Sequence, residues 1–556
     1  MGTNRKTEEK KMSMSKNIAR LAVTAGLTAA LSFGGVMAPV TMAFAAEANG
    51  SVTIENVNGN TTEFQGYQIF KADVDSGKVA NITWANDRVE KAVKDVIEKE
   101  DTSYAGKTAQ DAADWITNKV TGTNETTRVA PDNIAYKIAD AVDGLSPSAM
   151  TTSKTASGLA HGYWLFVTKT DTIGVGEAGT SPIFTVVGNT PVKITEKTGI
   201  PTVEKKIVSD ADSKEHDAAD SQIGQDVTYN LYGTVAENFD KYDTYFYQFS
   251  DKISKGLTLQ KDAKVYLYKN RTDATGTDIT MYFKEETPAK AAEDGSKTTT
   301  WTCDNLKDVS GVTKDSYIVV SYKAQINKYA VVAGTEGNEN TVTLNYSNNP
   351  MTSDRGETQS DTVKDYTYGL KINKVDLGTE AALDGAEFTI QATGADDGAS
   401  KNLYVQKDGS LGSDPWNFAT ANGGVIKVTG LDAGTYTVTE VSAPSGYAKV
   451  DPFTFEIKPN MNADDPGAGL TALKGVLTTD QGGKVIAGIT DENAGDNNLT
   501  AKLGSEKDED GIFNITVGDT KQVGLPLTGL NGVTFTWIAG GAVLCIGVAH
   551  LIRSRK

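Results

Sequence analysis

Hydrophobic and polar residues alternate along most of the second half of the chain, and this alternation predicts β-strands. Alternate residues of a strand face the same side of a sheet, so a half-buried strand shows an apolar residue at every second position. Runs of this kind occupy 227–232, 317–322, 341–346, 387–390 and 436–439. Short strands separated by Gly- and Asp-containing turns are typical of β-sandwiches. From about residue 201 onward, the sequence therefore predicts tandem immunoglobulin-like β-sandwich domains.

The segment from residue 47 to 198 has a mixed pattern. Strand-like runs occur at 51–54, 67–70, 162–167 and 183–187. Between them, Val89, Val93 and Ile97 recur at helical spacing, and a second helix is expected around Trp115 and Ile116. We expect a mainly β protein whose first domain is mixed α+β. The predicted divisions are 1–46, 47–198, 199–362, 363–522 and 523–556.

Composition narrows the possible functions. The 556 residues include 54 Lys and Arg against 72 Asp and Glu, giving a formal net charge of −18. Nucleic acid is not an expected partner, because phosphate binding needs clustered Lys and Arg. With two cysteines, Cys303 and Cys545, and three histidines, the chain lacks the ligands for zinc ribbons and the cysteines for a disulfide framework.

The amino-terminal end has the features of a secretory signal peptide. Six basic residues precede Leu21, and no charged residue occurs from there to Ala46. Ala43-Phe44-Ala45 fits the small-x-small rule of signal peptidase sites. A membrane-spanning helix is the alternative, but Gly34-Gly35 and Pro39 interrupt the run. The sequence therefore predicts export, with residues 1–46 removed.

The carboxyl-terminal end combines three elements in a fixed order. Leu525-Pro526-Leu527-Thr528-Gly529 comes first, an apolar stretch from Val533 to Ile552 follows, and the chain ends in Arg553-Ser554-Arg555-Lys556. The apolar stretch is long enough to cross a bilayer, and the basic tail would keep its end in the cytoplasm. The whole resembles the LPxTG sorting signal of Gram-positive surface proteins. The resemblance implies cleavage by a sortase between Thr528 and Gly529, attachment to peptidoglycan, and only transient membrane retention.

Strand alternation also places polar residues on inner faces. Lys205 shares a side with Val203 and Ile207, Asp251 with Phe249 and Ile253, and Asn340 with Val342, Leu344 and Tyr346. A desolvated lysine loses its proton readily and becomes a nucleophile, whereas a desolvated carboxyl group keeps its proton. Together with an asparagine, they could form a Lys–Asn isopeptide bond with loss of ammonia. The alternative is that Lys205 reaches water along its apolar stem, as lysines usually do.

Three stretches of the second sandwich resemble the isopeptide-forming middle domain of Gram-positive shaft pilins. They are Pro201 to Ile207, Asp251 to Thr258, and Gly337 to Asn340 continuing into Tyr346-Ser347-Asn348-Asn349-Pro350. The resemblance implies a crosslink between Lys205 and Asn340, with Asp251 as the catalytic carboxyl group.

The last sandwich resembles the collagen-adhesin B-type domain. Tyr436 to Tyr447 is similar to the pilin E-box YxLxETxAPxGY, with Val438 and Val441 in place of Leu and Thr. The resemblance implies that Glu440 is catalytic and that Lys371 is the nucleophile, with Lys374 as a weaker choice. The family acceptor is usually Asn. Here Asp519 occupies that place and would release water, and Asn514 is the alternative.

Shaft pilins also use a lysine that joins one subunit to the next. Val192 to Lys197 matches the V-x-V-x-x-K core of the family motif WxxxVxVYPK, which nominates Lys197. Gly188 replaces the motif Trp, and Thr195-Glu196 replaces Tyr-Pro. Lys193 is the competitor, and an ordinary exposed interdomain lysine is the alternative. The polymerising lysine must be open to solvent, unlike the crosslinking lysines.

The leading hypothesis is the shaft subunit of a sortase-assembled pilus, with identical subunits, sortases and peptidoglycan as partners. A wall-anchored adhesin or a tip or minor pilin that binds a host ligand is the alternative. A wall-bound enzyme is less favoured, because no nucleophile motif occurs. No cofactor is expected. Calcium could bind at 73–77 or 508–511, but neither continues as an EF-hand loop, and polar turns explain both.

Overall fold

The computed structural model describes most of the chain between residues 49 and 522. The described ranges are 49–56, 61–75, 78–120, 132–152, 154–196, 199–332, 336–395, 401–465, 469–477, 485–487, 498–501, 503 and 511–522. These residues are mainly β, as the alternation predicts, and their α-helices lie in the first part of the chain. The predicted leader, sorting signal and carboxyl-terminal apolar stretch lie outside the described ranges.

The first region, residues 50–196, combines two sheets with helices. One sheet has the order β5-β1-β8, and the other has the order β3-β2-β6-β7 with β4 paired to β2. The elements are β1 (Gly50–Asn56), β2 (Phe64–Asp75), β3 (Lys78–Trp84), α1 (Asp87–Glu100), α2 (Ala109–Val120), α3 (Ile134–Asp143), β4 (Ala149–Met150), β5 (Thr155–Leu159), β6 (Gly162–Thr168), β7 (Ile183–Val187) and β8 (Val192–Glu196).

Helix α1 shows why the first region is mixed. The Asn86 side chain accepts hydrogen bonds from the backbone N–H groups of Arg88 and Val89, both at 3.0 Å, and so caps the first turn. Val89, Val93 and Ile97 are buried along one face, as their spacing predicts. Helices α1 and α2 were expected from the sequence, whereas α3 was not.

The second region, residues 203–366, is a sandwich of two seven-stranded sheets. One sheet has the order β10-β9-β12-β19-β15-β16 with β14 paired to β19, and the other has the order β11-β22-β20-β13-β18-β17 with β21 paired to β20. The strands are β9 (Val203–Val208), β10 (Glu215–His216), β11 (Ala218–Asp220), β12 (Asp226–Thr234), β13 (Tyr247–Ile253), β14 (Leu257–Leu259), β15 (Lys264–Tyr268), β16 (Thr277–Asp278), β17 (Lys284–Glu286), β18 (Lys297–Cys303), β19 (Tyr317–Ile326), β20 (Asn338–Ser347), β21 (Arg355–Glu357) and β22 (Asp361–Tyr366).

The core of the second region is rich in aromatic side chains. The rings of Tyr229, Tyr247, Trp301, Tyr322 and Tyr346 are all buried between the two sheets. Each belongs to a strand whose alternate residues are apolar, so the inner faces meet as predicted. Such side chains bury a large apolar area but carry polar atoms that need partners.

The third region, residues 368–521, pairs a five-stranded with an eight-stranded sheet. The orders are β28-β23-β35-β30 with β33 paired to β35, and β26-β25-β24-β29-β31-β32-β34 with β27 paired to β24. The strands are β23 (Tyr368–Asp376), β24 (Glu387–Ala395), β25 (Tyr404–Val405), β26 (Leu411–Gly412), β27 (Phe418–Ala419), β28 (Val425–Leu431), β29 (Gly434–Ser442), β30 (Tyr447–Ala448), β31 (Phe453–Met461), β32 (Leu470–Leu477), β33 (Val485–Ala487), β34 (Asn498–Ala501) and β35 (Ile512–Lys521).

The connection between the second and third regions is buried and polar. Ile223 N–H donates to Gly430 O at 3.0 Å, and Asp432 N–H donates to Gln222 Oε1 at 3.2 Å. Strand β22 pairs antiparallel with β20 up to Asp365. The boundary that we predicted at residue 362 therefore falls inside a strand of the second region. The peptide segment between β22 and β23 is a single residue, Thr367, which is also buried.

Within the described ranges, no helix is both long and apolar enough to span a membrane.

Candidate functional site

Two strands from opposite sheets bring a lysine and a carboxylate together inside the second region. Lys205 lies on β9, and Asp251 lies on β13 of the facing sheet. Lys205 is 0% exposed and Asp251 is 1% exposed, so Lys205 does not reach water. The Lys205 ammonium group donates a hydrogen bond to Asp251 Oδ1 across the core. The backbone of Lys205 is also held, because its N–H donates to Asp361 Oδ2 at 2.6 Å.

A tyrosine hydroxyl joins this pair to the predicted acceptor. Tyr322 on β19 accepts hydrogen bonds from Lys205 Nζ at 3.1 Å and from Asn340 Nδ2 at 2.7 Å, and it donates to Asp251 Oδ2. Asn340 is on β20, directly beside β13, and is 0% exposed. We call Lys205, Asp251, Tyr322 and Asn340 the middle cluster.

Burial sets the electrostatics of the middle cluster. Desolvation lowers the pKa of Lys205, although Asp251 opposes this effect. The rings of Tyr229 and Tyr322 lie 5.6 and 5.4 Å from Lys205 Nζ and are part of the apolar surroundings of the amine. A lysine that gives up its proton in such a site is a nucleophile, and Asp251 is placed to take that proton.

The third region holds a second buried lysine with two carboxyl groups. Lys374 on β23 donates a hydrogen bond to Asp519 on β35, and its Nζ lies 3.1 Å from Glu440 Oε1 on β29. The side chains of all three are 0% exposed. Burial raises the pKa of Glu440, whose Oε2 accepts a hydrogen bond from Val450 N–H at 2.8 Å. We call Lys374, Glu440 and Asp519 the third-region cluster.

The expectation that Lys371 faces Glu440 is wrong. Lys371 is partly exposed and lies on the opposite face of β23, where its parallel neighbour is Asn514. Leu370, Ile372 and Lys374 share the buried face, because successive residues of a strand alternate between faces. Lys374 therefore takes the place that we had predicted for Lys371, and Asp519 rather than Asn514 faces it.

The two clusters differ in topology. Strands β23 and β35, which carry Lys374 and Asp519, are parallel neighbours in one sheet and are the first and last strands of the third region. In the second region, Lys205 and Asn340 belong to opposite sheets. Asn340 does not lie on the last strand of that sandwich, because β21 and β22 follow β20 and extend the same sheet.

The remaining predicted residues fall into two groups. Lys197 and the sorting signal at 525–529 lie outside the described residues. Lys193 is on β8, with a side chain that is 75% exposed and a distant ion pair of 3.8 Å to Glu55. Of the proposed calcium segments, 76–77 and 508–510 are also outside the described residues. Among the residues that are described, no group of three or more His, Cys, Asp or Glu side chains is arranged to hold a metal.

The sequence reasoning missed Tyr322. A signal was present, because Val320, Tyr322 and Ala324 alternate along β19 and are all buried. The sequence of β19 alone, however, does not show which of its side chains will contact a lysine on β9, because β12 lies between β9 and β19 in the sheet.

Comparison with known proteins assigns one region to a fold family. Residues 368–465 match the family model SpaA, described as a prealbumin-like fold domain. This range contains β23 and β29, which carry Lys374 and Glu440. Among curated protein sequences, none matches the chain significantly.

Solved structures similar to the chain include several pilins. The T6 backbone pilin of Streptococcus pyogenes serotype M6 is 16% identical, with 85% of this chain and 98% of that chain covered and a TM-score of 0.48. The major pilin SpaD of Corynebacterium diphtheriae is 17% identical, with 85% and 98% covered and a TM-score of 0.45. The major pilin BcpA of Bacillus cereus is 14% identical, with 85% and 99% covered and a TM-score of 0.37. These are the class of protein that the sequence motifs resemble.

Proposed function

We propose that the protein is the shaft subunit of a covalently assembled pilus on a Gram-positive cell surface. The observation that carries the proposal is the pair of buried lysine clusters in successive β-sandwiches. Burying charged groups is costly unless they are paired or react. Two such arrangements in tandem are expected if each sandwich closes its own crosslink.

In the second region, the crosslink joins Lys205 Nζ to Asn340 Cγ. Lys205 loses a proton to Asp251 and attacks the carboxamide carbon, and the Cγ–Nδ2 bond then breaks. The amide nitrogen leaves as ammonia after gaining one proton. The product is a secondary amide, and no oxidant or cofactor is consumed. The reaction takes place once in each molecule, so the protein is not an enzyme in the usual sense.

In the third region, the crosslink joins Lys374 Nζ to Asp519 Cγ. Lys374 Nζ attacks the carboxyl carbon of Asp519, and the two protons that Nζ gives up leave with a carboxyl oxygen as water. Glu440 carries a proton more readily than an exposed carboxyl group because burial raises its pKa. It is placed to give that proton to the leaving oxygen and to receive one from Nζ.

These bonds suit a subunit that bears tension. Each closes a loop of roughly 140 residues, and in the chain-entropy model this constraint contributes about 5 kcal/mol. The bond between β23 and β35 would carry force from the first strand of the third region directly to the last. Unlike a disulfide, an amide bond is unaffected by thiols, which fits a chain whose exported part retains only Cys303.

The chain ends supply the assembly chemistry in this proposal. Residues 1–46 direct export, and the segment 533–552 holds the protein in the membrane until a sortase cleaves between Thr528 and Gly529. The threonyl carbonyl is then transferred to Lys197 of the next identical subunit or, at the base, to peptidoglycan. The finished fimbria would support adhesion at the cell surface.

The experiment is an immunoblot of cell-wall extracts from the producing bacterium. Wild type should give a ladder of high-mass species, and Lys197→Ala should reduce it to monomer. Lys193→Ala is the matched control, four residues away on an exposed strand, and should leave the ladder intact. A ladder that persists in Lys197→Ala but vanishes in Lys193→Ala would reassign the lysine. A wild-type extract with wall-linked monomer alone would contradict the shaft role and favour the wall-anchored adhesin.

A further inference from the structure

The middle cluster forms a continuous path of hydrogen bonds between its two reacting nitrogens. Lys205 Nζ contacts Asp251 Oδ1, Asp251 Oδ2 accepts from the Tyr322 hydroxyl, and that hydroxyl contacts Asn340 Nδ2 at 2.7 Å. The carboxylate therefore touches the nucleophile with one oxygen and the phenol with the other. No donor among the described residues reaches Asn340 Oδ1, so the amide is held through its nitrogen.

We propose that Tyr322 is a catalytic residue that passes a proton from Asp251 to the leaving nitrogen of Asn340. The inference rests on the proposed Lys205–Asn340 crosslink and extends it by one residue. Amide nitrogen leaves only after it is protonated, and the described group that contacts Nδ2 is the Tyr322 hydroxyl rather than a carboxyl group.

The proton transfers balance without any further reactant. Lys205 first gives one proton to Asp251, which becomes a neutral carboxyl group, and Nζ gives that group a second proton as its bond to Asn340 Cγ forms. In the tetrahedral intermediate Nδ2 has a free lone pair, so the hydroxyl group of Tyr322 turns and gives its proton to Nδ2. Tyr322 takes in return the first proton that Asp251 received, which is now held on Oδ2. The Cγ–Nδ2 bond breaks, and ammonia departs with the two original amide protons and the one it received. Tyr322 ends as it began, and Asp251 ends as the neutral carboxyl group that the first proton transfer made.

The environment of Tyr322 fits a relay. Its hydroxyl has one donor and two acceptor positions, and the three contacts to Asp251, Lys205 and Asn340 use all of them. The ring is stacked between Trp301 at 5.2 Å and Tyr229 at 5.6 Å, which fixes the direction of the hydroxyl. Burial and Asp251 raise the pKa of Tyr322 well above its usual value. The phenol therefore gives and takes its protons together and does not exist as a phenolate.

The third-region cluster shows a direct arrangement instead. Lys374 contacts both carboxyl groups itself, and among the described residues no tyrosine hydroxyl donates to Glu440 or Asp519. Its leaving group is a carboxyl oxygen, and Glu440 serves as acid without a relay. One molecule thus contains a reaction that needs Tyr322 and an internal control that does not.

The test is the rate of each crosslink in the full-length chain, synthesised in a cell-free system and sampled over time. Each sample is digested, and mass spectrometry measures the fraction of linked Lys205–Asn340 and Lys374–Asp519 peptides. Tyr322→Phe should slow the first bond on the order of 100-fold, as expected for losing a proton-transfer group. The second bond should keep its wild-type rate.

Tyr229→Phe is the matched control. Its ring also lies beside Lys205 Nζ, but its hydroxyl donates to Asp365 Oδ2 at 3.2 Å and takes no part in the path. We expect its crosslinking rate to stay within a few-fold of wild type. If Tyr322→Phe and Tyr229→Phe slow the bond equally, the effect is one of packing and the relay is wrong.

A second variant separates chemistry from folding. Placing 3-fluorotyrosine at position 322 keeps the ring and hydroxyl but makes the phenol more acidic, so a relay predicts a changed rate in a normally folded chain. An unchanged rate would refute the relay. A wild-type chain that never loses ammonia would instead refute the proposed crosslink, whereas normal linkage in Tyr322→Phe would refute only the role of Tyr322.

Discussion

Replacing Lys374 by methionine removes the amine of the third-region cluster and preserves most of the side-chain volume. Lys374 Nζ contacts both Asp519 and Glu440, so its loss should abolish the bond between β23 and β35. Lys371→Met is the matched control, because Lys371 lies three residues away on the other face of the same strand. We expect the measured mass of Lys374→Met to show no loss of water from its linear sequence. The measured mass of Lys371→Met should show the loss of one water, as in wild type.

The expected loss of stability follows from the length of the closed loop. Lys374 and Asp519 are 145 residues apart. For a loop of this length the chain-entropy model gives about 5 kcal/mol, which corresponds to a fall in melting temperature of ~10–20 °C for a domain of this size. Two buried carboxyl groups left without their cation add to this loss. Glu440→Gln separates the two contributions, because it blocks the reaction but keeps the Lys374–Asp519 ion pair.

The assay is intact-protein mass spectrometry followed by scanning calorimetry of the same samples. Lys374→Met and Glu440→Gln should both lack the water loss, and Glu440→Gln should unfold at the higher temperature of the two. If Lys374→Met still loses water, or if Lys371→Met fails to lose it, the assignment of the nucleophile is wrong. If the bond is lost without a lower melting temperature, the stability argument is wrong.

Three further predictions concern the rest of the molecule. Asp251→Asn should prevent the ammonia loss of the middle cluster and leave the water loss of the third-region cluster. If mass spectrometry shows ammonia loss in this variant, the role given to Asp251 is wrong. Burial raises the pKa of Asp365 and Asp432 well above the usual carboxyl value, so the folded state holds protons that the unfolded chain releases. The stability that these two groups contribute should therefore fall as pH rises above about 4, so Asp365→Asn should gain stability relative to wild type as pH rises. A calorimetric difference between variant and wild type that does not change with pH would refute this reasoning. Burial also raises the pKa of the Cys303 thiol to about 11. A thiol reagent at neutral pH should therefore label a protein spanning residues 47–524 only after the protein unfolds. Rapid labelling of the native protein would contradict the burial of Cys303.

Strand alternation was sufficient to place most of the middle cluster. Lys205, Asp251 and Asn340 each share a face with apolar residues that must be buried, so their inward direction follows from a period of two. The same rule places Lys374 with Leu370 and Ile372. We chose Lys371 by resemblance and not by alternation, and the strand pattern was the better guide.

Other features depend on contacts that a single strand does not encode. Lys205 and Tyr322 lie on two strands of one sheet that are separated by β12, and β13 of the facing sheet lies opposite them. Their contact therefore depends on the order of strands in the sheets. Strand β22 was divided by the predicted boundary because its pairing with β20 is distant in sequence. Helix α3 carries Ile134, Ile138 and Val142 at helical spacing, so the signal for this helix was present in the sequence and was overlooked.

Mass spectrometry of the wild-type protein spanning residues 47–524 decides whether both crosslinks form. We expect a mass below that of the linear sequence by one ammonia and one water, with linked peptides containing Lys205 with Asn340 and Lys374 with Asp519. A mass equal to that of the linear sequence, with all four residues recovered in unlinked peptides, would contradict it.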